Sequence, residues 1–231
     1  MLIGALGDIH GAFETVHTIM QRHADVPLWV CVGDVASNDG EYFTPPAHLY
    51  FIKGNNEDFD VIAAAAAGQP IGATLHYLVN GGPHTVGPWR VAALGGTFAP
   101  SWYHSPAAAL PRSKGRKATA APLKLGKSRD DKRRHFVRDE VIACKALANI
   151  DLFMTHEAPR PFYPAGRRID AGKTVLNDVL ASMKPRLHLC GHHHRFVETV
   201  REGVRSVCID RVNRSYLLID AATLEYQKVD Q

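Results

Sequence analysis

The sequence lacks any apolar run approaching the roughly 20 residues that a helix needs to cross a bilayer. It also lacks the basic start, long apolar stretch and small-residue cleavage site of a secretory signal, because its N-terminus, MLIGALGDIHG, reaches an acidic residue at position 8. We therefore interpret the N-terminus as a buried first strand and expect a cytoplasmic protein with no membrane partner.

Cysteine is scarce and forms no metal-binding or redox motif. The four cysteines are Cys31, Cys144, Cys190 and Cys208, and none belongs to a CxxC pair, which argues against a zinc ribbon and a thioredoxin-type site. Three of them lie in apolar runs (WVCVG, LHLCG and SVCID), where cysteine acts as a small buried hydrophobic residue. We expect free thiols, because disulfides are rare in the cytoplasm.

The residues that are present predict one globular domain that carries a basic segment. The chain has 231 residues, 45% of them hydrophobic, which fits a single domain over residues 1–231. Residues 104–135, the basic segment, contain ten Lys or Arg and two Asp, so this segment carries +8 and the remainder −4 of the net +4. We interpret it as an insertion or lid that attracts polyanions; the alternative is a solvated loop without a ligand.

Hydrophobic patterning predicts alternating strands and helices followed by a run of strands. Short apolar runs that stop at turn-prone residues predict buried strands near residues 1–6, 28–32, 48–52, 150–155 and 187–190. Helical spacing predicts helices near residues 13–23, 58–67, 137–148 and 172–183. A hairpin with its turn at 80–83 is predicted to join strands 75–79 and 89–94. Further strands are predicted at 196–200, 204–209 and 216–219. This order indicates an α/β sandwich with helices outside two mixed sheets.

Polar residues follow five of the predicted strands. The clusters are Asp8-Ile9-His10, Gly33-Asp34, Gly54-Asn55-Asn56-Glu57, Thr155-His156-Glu157 and Gly191-His192-His193-His194. Sites in α/β proteins are built at strand ends, and glycine lets the backbone bend and approach a ligand. Each cluster alone has an ordinary structural explanation, but the five in this order predict one site.

The chemistry of these residues indicates a metal centre. Asp, Asn and His supply oxygen and nitrogen ligands, which suit Mn²⁺, Fe or Zn²⁺ better than a thiolate set would. One carboxylate can bridge two ions with its two oxygens, and ions about 3.5–4 Å apart can share a hydroxide and hold a phosphate between them.

The order D-x-H, GD, GN-x-E, H and GH-x-H, which extends over residues 8–194, resembles the metallophosphoesterase superfamily of calcineurin-like phosphatases, nucleases and cyclic-nucleotide phosphodiesterases. The resemblance implies a four-layer αββα sandwich and two divalent metal ions, with manganese preferred over iron, zinc or nickel. It implies that His193 points away from the metals. It also implies two ligand sets that share Asp34 as the bridge: Asp8, His10, Asp34 and His194 for one ion, and Asp34, Asn55, His156 and His192 for the other.

The reaction implied by this resemblance is hydrolysis of a phosphate ester by a hydroxide that bridges the two ions. We predict a phosphodiesterase that acts on a nucleotide or on nucleic acid, RNA or DNA. One alternative is a phosphomonoesterase or dinucleotide-polyphosphate hydrolase on the same scaffold, related to protein phosphatases. The other is a non-catalytic metal-binding scaffold, which loss of ligands would mark; here every ligand position carries a competent residue.

Asn56 departs from the commonest family pattern, in which GNH precedes Asp or Glu. The histidine of that pattern contacts the phosphate and helps to protonate the leaving group, whereas Asn56 can donate a hydrogen bond to a phosphate oxygen but transfers no proton near pH 7. The departure favours diester substrates with a good leaving group. Alternatively, another residue supplies the acid. We expect Glu57 to orient Asn56 or a loop amide. The unassigned candidate acids are His76, His84, His104 and His135.

A narrower resemblance points to RNA. The segments YFIKGNNE (50–57), LGG (94–96) and THEAPR (155–160) are similar to RNA lariat debranching enzymes and their prokaryotic relatives, which cleave 2′,5′-phosphodiesters. The basic segment would suit such a substrate. Arg160 closely follows a predicted ligand, and we predict that it binds a substrate phosphate, with an ordinary surface arginine as the alternative.

Overall fold

The computed structural model describes residues 1–112, 131–163 and 168–231, and within these ranges the chain forms twelve β-strands and four α-helices. The strands are β1 (Leu2–Leu6), β2 (Leu28–Cys31), β3 (His48–Phe51), β4 (Leu75–Tyr77), β5 (Pro83–Val86), β6 (Trp89–Leu94), β7 (Leu152–Thr155), β8 (Leu187–Cys190), β9 (Val197–Arg201), β10 (Val204–Cys208), β11 (Ser215–Asp220) and β12 (Tyr226–Asp230). The helices are α1 (Phe13–Arg22), α2 (Phe59–Ala66), α3 (Arg138–Lys145) and α4 (Thr174–Met183).

The strands form two six-stranded mixed sheets. The first sheet has the order β12-β11-β1-β2-β3-β4 and the second has the order β5-β6-β7-β8-β10-β9. Strands β1 to β4 are parallel to one another, and so are β6, β7, β8 and β10. Because parallel neighbours need crossover connections, the chain between them is free to place helices over the sheets.

Three apolar layers hold the sheets and helices together. Residues of both sheets, including Ile3, Val91 and Leu189, pack between the sheets. The outer face of the first sheet packs against α1 and α2, and the outer face of the second packs against α3 and α4. Helix α1 shows the sequence basis of this arrangement, because its buried residues Val16 and Met20 are spaced by one helical turn. The predicted four-layer αββα sandwich is confirmed.

The predicted hairpin between residues 75–79 and 89–94 is wrong. Strand β4 pairs in parallel with β3 at the edge of the first sheet, whereas β6 belongs to the second sheet and pairs antiparallel with β5. The true turn is Gly87-Pro88, and Gly87 has the positive φ of 55° that a tight hairpin favours. The sequence gives only a weak signal for β5, because the strand is short and begins with Pro83. Proline is tolerated in a sheet only at the start of a strand or in an edge strand.

The basic segment is described only at its two ends. Residues 113–130, which hold most of its charge, lie outside the described residues, so the predicted lid stays a prediction. The C-terminal end packs on the body of the protein: Arg133 donates to Asp60 Oδ1 at 2.7 Å and to the Phe59 carbonyl at 3.0 Å. Lys53 Nζ donates to the carbonyls of Arg133 and His135 at 2.9 and 3.1 Å.

All four cysteines are free and buried, as the sequence predicts. Cys31 and Cys144 belong to the apolar layers under the helices, and Cys190 and Cys208 form part of a small cluster with Ala158 and Phe162. In the described part of the chain, no helix combines the length and apolarity required to span a membrane.

His188 in β8 is a fully buried histidine with both ring nitrogens hydrogen-bonded. Its Nε2 lies 2.8 Å from Thr155 Oγ1, and its Nδ1 lies 2.5 Å from Ser206 Oγ. Thr155 Oγ1 donates to the Glu157 carbonyl and therefore accepts from His188, which leaves Nδ1 to accept from Ser206. Burial lowers the pKa of His188 to about 3, so the ring stays neutral in the folded protein.

We expect His188 to contribute a fall of about 1.4 kcal/mol per pH unit to the free energy of unfolding as the pH drops from 6.5 towards 3, because the unfolded chain binds a proton at His188 that the folded chain excludes. His188→Gln removes this contribution and should make the profile less steep over that window. Urea unfolding at pH 7, 6 and 5, with chelator present throughout, measures the difference. The exposed His104→Gln is the matched control, and parallel profiles for wild type and His188→Gln would contradict the assignment.

Candidate metal centre

The five polar clusters meet at one edge of the sandwich. Three of them follow β1, β2 and β3 of the first sheet, and two follow β7 and β8 of the second. Within each sheet these strands are parallel, so their carboxyl ends lie at the same edge. The side chains that follow them contact one another across the gap between the two sheets.

The first contact group contains Asp8, His10, His194 and Asp34. His194 Nε2 lies 2.9 Å from Asp8 Oδ2 and 3.1 Å from His10 Nε2. His10 Nε2 lies 3.5 Å from Asp34 Oδ2 and 3.8 Å from Asp8 Oδ2. This group therefore unites the four residues that the resemblance implies for one ion.

The second contact group surrounds His156 Nε2. This nitrogen lies 3.2 Å from Asn55 Oδ1, 3.2 Å from His192 Nδ1 and 3.5 Å from Asp34 Oδ2. Its members are the four residues implied for the other ion. The carboxylate of Asp8 also lies close to this side, because Asp8, Asp34 and His156 offer ligand atoms within 4.8 Å of one another.

Asp34 is the residue common to both groups. Its Oδ2 lies 3.5 Å from His10 Nε2 and 3.5 Å from His156 Nε2. Its Oδ1 accepts the backbone N–H of Asn56 at 2.7 Å. The sequence interpretation assigns both oxygens to a bridge, whereas the folded chain turns one oxygen towards both groups and engages the other with a backbone amide.

The spacing of these atoms fits divalent cations. Two ligand atoms about 2.1 Å from a common ion lie roughly 3.0 Å apart at a right angle and 3.4 Å apart at the tetrahedral angle. The contacts span 2.9–3.8 Å in the first group and 3.2–3.5 Å in the second. Electrostatics agrees with this fit. Burial lowers the pKa of His156, but the charge and hydrogen bond of Asp34, together with the charge of Asp8, outweigh burial and raise it. His156 and His10 in turn hold the pKa of Asp34 below its ordinary value against burial. The carboxylate thus favours positive charge on both sides.

Strained backbone aims several of these side chains. His10, Asp34, His192 and His194 have φ between 49° and 66°, a left-handed region that costs non-glycine residues roughly 1–2 kcal/mol each and is concentrated at functional sites. The neighbouring glycines allow close approach: a Cβ on Gly54 would lie 2.0 Å from Asp34 Oδ1, and one on Gly191 would lie 2.4 Å from Asp8 Oδ1.

Hydrogen bonds fix the orientation of the candidate ligands. His156 Nδ1 donates to the Val32 carbonyl at 2.8 Å, which leaves Nε2 facing the site. The backbone N–H of His192 donates to both oxygens of Asp8, at 3.0 and 3.1 Å. Burial and the nearby His156 lower the pKa of His192 to about 2, so its ring is neutral, the form that binds metal.

Glu57 organises the loops that carry Asp34 and Asn55. Its Oε1 accepts the backbone N–H groups of Val35 and Gly54 at 3.0 and 3.2 Å. Its Oε2 accepts from the Ala36 N–H at 3.2 Å and the Tyr42 hydroxyl at 2.9 Å. The expectation that Glu57 orients a loop amide is confirmed. The sequence did not predict the contact between Tyr42 and Glu57, because nothing in the loop of Tyr42 indicates a partner 15 positions away.

Three other predicted residues have partners of their own. The side-chain amide of Asn56 is buried and donates to the Ala36 carbonyl at 3.3 Å. Arg160 Nε donates to Asp170 Oδ2 at 2.7 Å. His193 stacks on Phe162 with ring centroids 4.3 Å apart. The predicted substrate contacts of Asn56 and Arg160 therefore stay predictions.

None of the four candidate acids contacts a predicted ligand within the described ranges. His76 lies 2.9 Å from His48 Nδ1, and His84 donates to the Val79 carbonyl. His104 has a ring contact with Tyr103, and His135 bonds Thr97. The role of these histidines as candidate acids stays a prediction.

Comparison with known proteins identifies similar sequences and folds. A family model of the calcineurin-like phosphoesterase superfamily domain matches residues 1–213. No curated protein matches the chain. Among solved structures, the TT1561 protein of Thermus thermophilus has 13% identity and a TM-score of 0.63, with 99% of this chain and 98% of that chain covered. An archaeal phosphodiesterase has 12% identity and a TM-score of 0.52, with both chains fully covered at 100%. A dimetal phosphatase from Danio rerio has 11% identity and a TM-score of 0.54, with 100% and 98% covered. At these identities the structural likeness concerns the fold alone.

Asp34→Asn should abolish turnover while leaving the fold intact, because the shared oxygen loses its charge between the two groups. We expect at least a roughly 100-fold loss of phosphoester hydrolysis, together with a lower content of bound metal. Mass spectrometry of bound metal and circular dichroism accompany the rate measurement, and the exposed Asp39→Asn is the control. Retained activity in a folded, metal-replete Asp34→Asn protein would refute the bridging role.

Glu57→Gln should destabilise the protein by about 1–3 kcal/mol. The side-chain NH₂ group of glutamine would face N–H or O–H groups that now donate to the carboxylate, so donors would be left without an acceptor. Tyr42→Phe removes one of the four donors and should cost about 1 kcal/mol or less. Urea unfolding of the metal-free proteins gives these values. Titration with Mn²⁺ should show a roughly 10- to 100-fold weaker affinity for Glu57→Gln. Wild-type stability and metal affinity in this variant would mean that the loops hold their position without Glu57.

Proposed function

Because the chain belongs to the calcineurin-like phosphoesterase superfamily, we propose that it hydrolyses phosphodiester bonds of a nucleotide or nucleic acid at a centre of two divalent metal ions. The family itself establishes a metal-dependent phosphoester hydrolase. The finer proposal concerns the number of ions, their identity and the type of ester.

One observation carries the two-ion proposal: Asp34 Oδ2 is equally distant, at 3.5 Å, from a nitrogen of each contact group. Asp8, His10 and His194 lie on one side, and Asn55, His156 and His192 lie on the other. The Asp8 carboxylate also lies close to the second group. The absence of thiolates from both sets supports Mn²⁺, with Fe, Zn²⁺ or Ni²⁺ as alternatives.

When bound, the two ions would neutralise the phosphate charge and lower the pKa of the attacking water. The protein's own groups fix the geometry of the site. Backbone N–H groups of Asn56 and His192 hold the carboxylates of Asp34 and Asp8, and the Val32 carbonyl holds the ring of His156. Preorganised ligands of this kind need no rearrangement during the reaction.

The described residues of the centre differ in their exposure. The side chain of His194 is 40% exposed and that of His10 is 19% exposed, whereas His156 is fully buried. We therefore infer that the substrate phosphate approaches from the side of His10 and His194, whereas His156 and Asp34 form the buried part of the site.

Asn56 supports a diester substrate. The residue carries no titratable proton, and its amide is buried against the Ala36 carbonyl. A leaving oxygen would depart without protonation by this residue, which favours esters whose leaving group is stable as an anion. The fold accommodates both chemistries, since the similar structures include a phosphodiesterase and a dimetal phosphatase, so the residue at position 56 distinguishes between them better than the fold does.

We expect the chelator-treated protein, reconstituted with Mn²⁺, to hydrolyse a bis-aryl phosphodiester faster than the matching aryl phosphomonoester. The ratio of the two kcat/KM values is the measurement, and metal-free protein is the control. Asn56→His should shift the ratio towards the monoester, because it supplies the missing acid. A preference for the monoester in the wild type would instead support the alternative of a phosphomonoesterase or dinucleotide-polyphosphate hydrolase.

A further inference from the structure

Arg211 lies in the loop after β10, at the edge where the two contact groups meet. Strand β10 runs parallel to β8, with Cys208 opposite Cys190, so the residues that follow both strands emerge at the same edge. This loop contains none of the family motifs, so the sequence pattern assigns it no role.

The backbone on both sides of Arg211 is fastened to the segment that carries Asp8. The Asp210 carbonyl packs so closely on Gly7 that a Cβ there would lie 1.8 Å from its oxygen. The Val212 N–H donates to the Asp8 carbonyl at 3.2 Å. Arg211 therefore has a fixed position beside the first contact group.

The side chain of Arg211 has no hydrogen-bond or ion-pair partner among the described residues. Its Nε is buried and unbonded. The adjacent carboxylate of Asp210 is already engaged, because Oδ1 accepts the backbone N–H of Arg211 at 2.7 Å and Oδ2 lies 3.7 Å from Arg214 Nη1. A guanidinium donor left unpaired in a partly buried position is unfavourable unless a ligand completes it.

Arg211 lies beside the first contact group, because its flanking backbone contacts Gly7 and Asp8. The same group contains His10 and His194, which are partly exposed on the side where the phosphate is proposed to approach. Arg160, the arginine predicted from the sequence to bind phosphate, is less suited to this role. Its side chain is paired with Asp170 and is 59% exposed.

We propose that Arg211 is a catalytic residue whose guanidinium binds a non-bridging oxygen of the scissile phosphate on the side of His10 and His194. The proposal rests on the proposed function in requiring a phosphate ester as substrate. Arginine presents its donors in a planar fork that matches phosphate oxygens. Arg211 forms no covalent bond: a water oxygen bonds to phosphorus and loses its proton to solvent, and the ester oxygen leaves with its electron pair and takes a proton from solvent. The arginine stabilises the charge that Asn56 cannot neutralise by proton transfer.

Binding of inorganic phosphate to the Mn²⁺-loaded protein tests this directly by calorimetry. Arg211→Gln should bind phosphate about 10- to 100-fold more weakly than the wild type. Arg211→Lys keeps the charge but loses the fork, so an intermediate affinity is expected. The matched control is Arg214→Gln, three residues away and exposed, which should bind within about twofold of the wild type. Bound metal and thermal stability are measured for every variant.

Rescue by a small molecule separates a direct contact from a structural effect. For Arg211→Ala, millimolar guanidinium should restore part of the lost kcat for the bis-aryl diester, whereas a distorted site would not respond. Wild-type phosphate affinity in a metal-replete Arg211→Gln and Arg211→Lys would overturn the proposal.

The failure of this inference is distinguishable from failure of the proposed function. If the wild type prefers monoesters but Arg211→Gln still loses phosphate affinity, the diester proposal fails and the role of Arg211 stands. If the wild type hydrolyses the diester and neither phosphate affinity nor turnover changes in Arg211→Gln, the role of Arg211 fails and the function stands.

Discussion

The carboxylate of Asp34 is buried where the edges of the two sheets meet, and one of its oxygens faces an imidazole from each sheet. His10 follows a strand of the first sheet and His156 follows a strand of the second, and both lie 3.5 Å from that oxygen. A buried carboxylate is costly unless it is paired or hydrogen-bonded. The backbone amide of Asn56 and the histidines of the two contact groups compensate the charge of this carboxylate.

Holding that arrangement requires local strain and support from outside it. Four candidate ligands occupy left-handed backbone conformations, which persist only where the surroundings determine them. Glu57 supplies part of that support, because it ties the loops after β2 and β3 to each other through three backbone amides. The glycines at positions 54 and 191 contribute by letting the backbone approach the carboxylates of Asp34 and Asp8.

Two residues outside the candidate ligands bear on the chemistry of the centre. Asn56 carries no titratable proton, and its buried side-chain amide donates to the Ala36 carbonyl. Arg211 lies beside the segment that carries Asp8, and its buried Nε has no hydrogen-bond partner in the described part of the chain. Both residues support the proposed function, in which the site would stabilise charge on the phosphate of a diester instead of protonating the leaving group.

The sequence by itself predicted an α/β sandwich of two mixed sheets and the five polar clusters, because apolar runs that stop at glycine and polar residues are short-range patterns. The four-layer αββα order and the division of the clusters into two groups were implied by the resemblance to a known family. The hairpin partner of β6 was not legible, because a short edge strand that begins with proline gives a weak signal. Only the tertiary structure decided which partners Tyr42, Arg160 and the loop of Arg211 have. Whether a hydroxyl or guanidinium is paired depends on residues elsewhere in the sequence, such as Glu57 for Tyr42 and Asp170 for Arg160. The loop of Arg211 is likewise held by Asp8. Only folding brings those partners within hydrogen-bonding distance, so local sequence carries no record of them.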